Sequence, residues 1–196
     1  MKESHVADDV TRAAVELFAT QGYAGTSVQQ IVEAAGVTKG AMYHYFTSKD
    51  DLLFGIYDRL LALQKAHLDA VIERGGAVDE MVREACIDVI LTTIDDLAAA
   101  TVFFRSAHML SARRQHEVTH RRRAYHDAFA GLLARGQAEG LWRTDIPTAV
   151  LVAHFFSDVH YLAQWYSPAG PEDKSRVAAQ LTELYLAGLR KTDAAT

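Results

Sequence analysis

Apolar side chains recur every three or four residues along most of the chain, which is the period of an amphipathic α-helix. The first such stretch places Val6, Val10, Ala13 and Leu17 on one face and ends at Gly22. Sustained alternation of apolar and polar residues, the pattern of a half-buried strand, is absent. The three prolines all lie in the last quarter of the chain, so none interrupts the earlier helices. The pattern predicts an all-α protein of about nine helices.

Two short helices joined by a glycine turn are predicted between residues 26 and 49, where the chain reads TSVQQIVEAAGVTKGAMYHYFTSK. Either Thr26 or Ser27 can cap the first helix, and Thr38 can cap the second. Gly36 between them can adopt the left-handed conformation that a tight turn requires. A long fourth helix follows, ending at Gly75.

The second short helix, expected over about residues 39–45, has an unusual outer side. Met42 can pack inward, and the opposite side carries small and hydrogen-bonding residues: Thr38, Lys39, Gly40, Tyr43 and His44. A helix with such a face can enter the major groove of DNA and hydrogen-bond to base edges. Gly40 would let the backbone approach closely, and Lys49 is placed to meet a flanking phosphate. Spacing alone leaves a plain three-helix subdomain with a glycine turn equally open.

Residues 13–53 resemble the N-terminal domain of TetR-family transcriptional regulators through the string G-Y-x-x-T-S-V-x-x-I-V-x-A-A-G-V-T-K-G-x-x-Y-x-Y-F-x-S-K-x-x-L-L. The resemblance implies a helix-turn-helix domain over residues 1–50 and a ligand-binding and dimerisation domain over residues 51–196. It implies DNA contacts at Ser27, Thr38, Lys39, Gly40, Tyr43, His44 and Lys49. Many members have Tyr-Tyr-His before the phenylalanine, whereas this chain has Tyr43-His44-Tyr45, so the roles of His44 and Tyr45 stay open.

Charge argues against a large electrostatic contribution to DNA binding. The chain of 196 residues has a formal net charge of −5, and its first 50 residues hold four cationic against six acidic side chains. Hydroxyls and backbone N–H groups would therefore have to supplement few cationic contacts. We expect Lys and Arg to neutralise only about two to four phosphates per dimer.

Composition excludes several other classes of protein. The single cysteine, Cys86, excludes a disulfide framework and a multi-cysteine metal site. The N-terminus lacks an apolar signal region, and no apolar run approaches the roughly 18 residues of a membrane span, so a cytoplasmic protein is expected. Histidine pairs such as His116 and His120 lack a metal-binding motif, and no phosphate loop or nucleophile motif occurs. Neither a metal nor a cofactor is predicted, and no catalytic residue is assigned.

Aromatic and polar-tipped residues gather in the second half of the chain. The resemblance implies a small-molecule effector pocket there, and we assign its lining to Phe103, Phe104, His108, Met109, Tyr125, Phe129, Phe155, His160, Tyr161 and Trp165. Core packing is the alternative role for most of them. Residues 164–171 also resemble a subgroup of regulators of steroid and fatty-acid breakdown, some of which respond to acyl-CoA thioesters. An acyl-CoA is therefore a candidate effector.

The arginine-rich run at residues 113–123 allows two interpretations. It could bind an anion such as the phosphates of CoA, or it could be a solvated loop and helix start, which charge runs usually are.

The resemblance further implies a homodimer through the last two helices, about residues 147–166 and 172–190. Such a dimer would bind double-stranded DNA at a palindromic operator and release it when the effector binds. A small helical enzyme and a helical scaffold without a DNA role are the alternatives.

Overall fold

Nine α-helices account for most of residues 3–191, the part of the chain that the computed structural model describes. They are α1 (Glu3–Gln21), α2 (Val28–Ala34), α3 (Lys39–Tyr45), α4 (Lys49–Arg74), α5 (Val78–Asp95), α6 (Leu97–Ser106), α7 (Ala112–Ala138), α8 (Thr148–Trp165) and α9 (Lys174–Leu189). A 3-10 turn, Ala107–Met109, follows α6. The described residues contain no strand, only one isolated bridge between Trp142 and Arg190. The all-α prediction is confirmed.

The helices form two compact units. Of the described residues, the first unit comprises 3–60 and 96–120, and the second comprises 61–95 and 121–191. Both α4 and α7 therefore begin in the first unit and end in the second. These units are defined by contacts, so the functional division predicted at residue 50 stays a prediction.

In the first unit, α1 packs against α2, α3 and α6. Val10, Ala14 and Phe18 on the inner face of α1 are buried, as its apolar spacing predicts. Tyr57 of α4 and Phe103 of α6 stack with ring centroids 3.5 Å apart. This core holds the two short helices against a longer and better-packed support.

In the second unit, α5 packs against both α8 and α9. The buried amide of Gln64 on α4 donates to the hydroxyls of Thr92 and Thr93 on α5, at 2.9 and 3.2 Å. A buried polar group of this kind would be costly without such partners. No helix within residues 3–191 has the length and apolar character needed to cross a lipid bilayer.

Helix α7 begins earlier than expected from its apolar positions. The whole arginine-rich run, residues 113–123, lies within α7, so the interpretation of part of it as a loop is wrong, whereas the expected helix start is present. Arginine is a good helix former, and neither proline nor glycine occurs between Ala112 and Ala130. The apolar pattern that locates helices is weak there because the first turns of α7 carry mostly polar side chains.

Candidate DNA-binding surface and effector region

Local hydrogen bonds fix the geometry of the two short helices. The Ser27 hydroxyl accepts from the Gln30 backbone N–H (3.2 Å), while the Gln30 side chain accepts from the Ser27 N–H (2.8 Å), which is a complete capping box. Gly36 has φ of +66° and ends α2. Its N–H donates to the Glu33 carbonyl and the Val37 N–H donates to the Val32 carbonyl, the two bonds of a Schellman motif. The turn that orients α3 is thus set by the sequence within a few residues.

The outer side of α3 is exposed as predicted. Met42 is fully buried and anchors the helix, and Thr38 caps it by accepting from the Ala41 N–H at 3.1 Å. Tyr43 is 48% exposed. The predicted contact residues on the same side are all exposed: Thr38, Lys39, Gly40, Tyr43 and His44. Ser27 at the start of α2 is exposed as well, although its hydroxyl already serves the capping box.

Nothing among the described residues requires a glycine at position 40. A Cβ at this position would meet only the Thr38 Oγ1, at an ordinary contact distance of 3.8 Å. Glycine inside a helix costs about 0.5–1 kcal/mol of stability relative to alanine. An exposed, internally unconstrained glycine on this surface is what close approach of an external partner would require.

Lys49 has a structural role that the sequence did not reveal. Its ammonium donates to the backbone carbonyls of Tyr23 and Thr26, both at 2.8 Å, and lies 4.4 Å from the centre of the Tyr23 ring. Burial lowers the pKa of this lysine. Two of its three donors therefore brace the loop between α1 and α2, and a phosphate contact would have to use the third.

Two adjacent carboxylates join the start of α4 to the start of α7. Asp50 accepts from the Ser111 N–H (2.9 Å) and from the Ser111 hydroxyl (2.8 Å). Asp51 forms a salt bridge with Arg114 and also accepts from the Thr47 N–H at 2.9 Å. Thr47 lies two residues after α3, so the Asp51 carboxylate links α7 to the end of the exposed helix.

Arg114 is held by three groups at once. Besides Asp51, its guanidinium bonds Glu117 at 2.5 Å and lies 4.2 Å from the centre of the Phe54 ring. Its side chain is only 15% exposed. Neither interpretation of the arginine-rich run fits this residue, which is neither solvated nor available to an external anion.

Replacing Arg114 by methionine should lower the free energy of unfolding by about 2 kcal/mol, because Asp51 and Glu117 would lose a charged partner in a largely buried position. Hydrogen exchange at the Thr47 amide should accelerate in the same variant. Arg113→Met is the matched control, since that side chain is 74% exposed and 3.9 Å from Glu117. The control should change stability by less than about 0.5 kcal/mol. Equal effects of the two substitutions would contradict the role assigned to Arg114.

The ten predicted effector residues are divided between the two units. Phe103, Phe104, His108 and Met109 belong to the first unit, and Tyr125, Phe129, Phe155, His160, Tyr161 and Trp165 belong to the second. Phe103, Tyr125, Phe129 and Phe155 are buried. His108, Met109, Tyr161 and Trp165 are exposed. The assignment of these ten residues to one effector pocket stays a prediction.

An aromatic cluster in the second unit contains three of these residues. Phe129 lies 5.2 Å from Phe155 and 5.6 Å from Phe156, measured between ring centroids, and Tyr125 lies 5.6 Å from Phe156. The Tyr125 hydroxyl is buried and has no hydrogen-bond partner among the described residues. Burial, reinforced by the nearby Cys86 and Asp88, raises the pKa of Tyr125 well above its usual value. This hydroxyl therefore stays protonated and can donate.

His160 lies close to Arg122 and His126 of α7. Burial, followed by these two neighbours, lowers the pKa of His160 to about 4. Burial and Arg122 also lower the pKa of His126. Both rings are consequently neutral in the folded protein at pH 7.

The low pKa of His160 predicts a loss of stability in mild acid. Between pH 6.5 and about pH 4 the unfolded chain binds a proton that the folded chain does not, so the free energy of unfolding falls as the pH falls through this window. We expect a contribution of about 2 kcal/mol between pH 7 and pH 5. Urea unfolding at both pH values measures it. His160→Gln should reduce the difference, whereas His116→Gln, at an exposed position of α7, should leave it unchanged. An unaltered difference in His160→Gln would contradict the assignment.

The outer faces of α8 and α9 expose large apolar side chains. Val150 (54%), Tyr161 (64%) and Trp165 (50%) lie on α8, and Leu184 (71%) lies on α9. The inner faces of both helices are already packed on α5. Among the described residues, no group of three or more His, Cys, Asp or Glu side chains is arranged to hold a metal ion.

Comparison with known proteins agrees with this arrangement. Residues 10–56 match the family model described as bacterial regulatory proteins of the tetR family. Residues 75–189, more than half of the chain, match the model described as a tetracyclin repressor-like C-terminal domain. The chain belongs to the TetR family of transcriptional regulators. The resemblance seen in the sequence is thereby confirmed.

Individual TetR-family relatives cover nearly the whole chain. The transcriptional repressor KstR2 of Rhodococcus jostii (strain RHA1) is 28% identical over 183 residues, which is 90% of this chain and 87% of that protein. The structure of the ketosteroid transcriptional regulator KstR2 of Mycobacterium tuberculosis superposes with a TM-score of 0.84 at 21% identity, covering 95% of each chain. AibR in complex with isovaleryl coenzyme A and operator DNA gives a TM-score of 0.78 at 20% identity, covering 91% of this chain and 97% of that one. The two structures show a shared fold.

Proposed function

We propose that this protein is a homodimeric transcriptional repressor of the cytoplasm that binds a palindromic operator through α3 and leaves it when a small apolar effector binds. The observation that carries the proposal is the exposed set of hydrogen-bonding side chains on α3, supported from beneath by the fully buried Met42. The proposed DNA contacts are those assigned from the sequence, with Lys49 acting mainly by bracing the loop before α2. No observation favours an enzymatic role.

The dimer would form through the outer faces of α8 and α9. Several large apolar side chains are exposed on these two helices, which is more than the single scattered apolar residues of an ordinary protein surface. Packing against a second copy would remove this apolar surface from water. A two-fold dimer of this kind presents two recognition helices. These would have to lie about 34–36 Å apart to enter successive major grooves.

The effector would bind in the second unit, next to the aromatic cluster. An unpaired buried hydroxyl costs about 1–3 kcal/mol, and a polar atom of a bound ligand would offset this cost at Tyr125. AibR, which shares this fold, is described in complex with isovaleryl coenzyme A, and KstR2 is described as a ketosteroid regulator. An acyl-CoA is the effector class we propose.

Release from DNA would follow from a population shift. An effector that binds the DNA-incompetent arrangement more tightly shifts the equilibrium by its difference in affinity for the two arrangements. A few kcal/mol of such a difference changes occupancy by orders of magnitude.

Selection from a random duplex library, followed by footprinting, tests the proposal. We expect a palindromic site, and an asymmetric single half-site would contradict the dimeric arrangement. Because few cationic side chains lie near α3, the slope of log K against log salt concentration should be shallow, with about two to four phosphates neutralised by Lys or Arg per dimer. A slope steeper than about −6 would contradict this account of the interface.

A further inference from the structure

A cavity lies in the first unit, whereas the proposed effector region belongs to the second unit. The cavity has a volume of about 290 Å³ and lies between the end of α1, the loop that follows it and α6. Its walls include Phe18 of α1, Tyr23 of the loop and Val102 of α6. This volume is at the lower end of the range for small-molecule sites.

Two polar side chains of this cavity have no partner among the described residues. Arg105 of α6 is exposed and makes no ion pair with any described residue. The adjacent Ser106 is only 6% exposed, and its hydroxyl makes no hydrogen bond within the described residues. None of the residues that line the cavity is acidic. A guanidinium and a hydroxyl that are both unpaired at the same cavity together favour an anionic group that accepts hydrogen bonds.

The rest of the cavity is largely apolar. Phe18 and Val102 present buried side chains, and Met109 is 41% exposed at the edge. Methionine adapts its shape to different apolar groups because its side chain is flexible. An inorganic anion would leave the exposed part of Met109 in contact with water, whereas an aliphatic chain would cover it.

We propose that this cavity binds a small aliphatic carboxylate. The carboxylate would pair with the Arg105 guanidinium and accept a hydrogen bond from the Ser106 hydroxyl, while the aliphatic chain lies against Phe18, Val102 and Met109. The site is separate from the proposed effector region, so it does not depend on that assignment.

This cavity borders the loop that leads into the DNA-binding surface. Gly22 and Tyr23 line it, and the carbonyl of Tyr23 is one of the two that Lys49 holds. The same loop leads into the capping box that begins α2. A ligand that contacts this loop would therefore change the orientation of α2 and α3 directly, without any change in the second unit.

Titration of the full-length protein with hexanoate tests the proposal, with methyl-labelled methionine observed by NMR. We expect saturable binding with a dissociation constant of about 1 mM or lower. The Met109 methyl signal should shift, while those of the buried Met42 and Met81 stay in place. Hexanol, which lacks the charge, and inorganic phosphate, which lacks the chain, should each bind at least about 10-fold more weakly.

Three variants locate the binding. Arg105→Gln should weaken hexanoate binding about 10-fold and Ser106→Ala about 3-fold. Ala19→Leu, at an exposed helical position that lines the cavity, should fill it and abolish binding without harming the fold. Arg176→Gln on α9 is the control and should bind hexanoate with the same dissociation constant as the unaltered protein. Absence of saturable hexanoate binding, or full affinity in both Arg105→Gln and Ala19→Leu, would overturn the proposal.

This outcome is independent of the repressor proposal because binding is measured without DNA. Failure of hexanoate to bind leaves operator recognition through α3 intact. Failure to recognise an operator leaves the cavity and its ligand intact.

Discussion

Replacement of Leu184 by glutamate is expected to separate the proposed dimer into single chains. Leu184 is the most exposed of the large apolar side chains, at 71%, and lies on the outer face of α9. In a two-fold interface every substitution occurs twice, so two carboxylates would be brought towards one another in a region that excludes water. We expect the dimer dissociation constant to rise more than about 100-fold, measured by analytical ultracentrifugation. Affinity for the selected operator should fall with it, since a single chain engages only one half-site.

The control for this substitution is Leu63→Glu on α4. Leu63 is 46% exposed and lies outside the proposed interface, so that variant should remain dimeric. The free energy of unfolding at the level of the single chain should change little in either variant, because both side chains are already in contact with water. A Leu184→Glu protein that stays dimeric at nanomolar concentration would show that α9 does not form the interface.

Replacement of Tyr43 by alanine is expected to weaken binding to the selected operator about 10- to 100-fold, the usual range for loss of a side chain that contacts DNA directly. Because Tyr43 is 48% exposed and packs little inside the protein, the free energy of unfolding should change by less than about 0.5 kcal/mol. Fluorescence anisotropy with the labelled duplex and urea unfolding measure the two quantities. Loss of binding without loss of stability separates a contact residue from a structural one.

Gly40→Ala provides a sharper test of the same surface. Alanine should stabilise α3 by about 0.5–1 kcal/mol, because the space for a Cβ is open on the protein side. Operator binding should nevertheless weaken, since the methyl group would stand between the helix backbone and DNA. Gly131→Ala in α7, where a Cβ would also meet nothing within 4 Å, should stabilise the protein without affecting DNA binding. Unchanged operator affinity in both Tyr43→Ala and Gly40→Ala would remove α3 as the recognition helix.

The proposed effector region depends more on tertiary structure than the DNA-binding surface does. The sequence placed ten residues in one pocket, yet they belong to two compact units, and four of them are exposed. Aromatic side chains at helical spacing serve equally in a core, in an interface and in a pocket, so their spacing alone does not separate these roles. Tyr161 and Trp165 lie on the outer face of α8, which suits the proposed dimer contact better than a pocket within one chain.

Local interactions explain what the sequence by itself determined. The helices, the capping by Thr38 and the turn at Gly36 depend on residues within about four positions of one another. Tertiary structure alone decided that the Lys49 ammonium donates to the carbonyls of Tyr23 and Thr26, which precede it by 26 and 23 residues. It also decided that Asp50 and Asp51 bind Ser111 and Arg114, which follow them by more than 60 residues. The sequence around a charged side chain does not show whether that side chain contacts water, DNA or a distant part of its own chain. Its partner is determined only by how the helices pack.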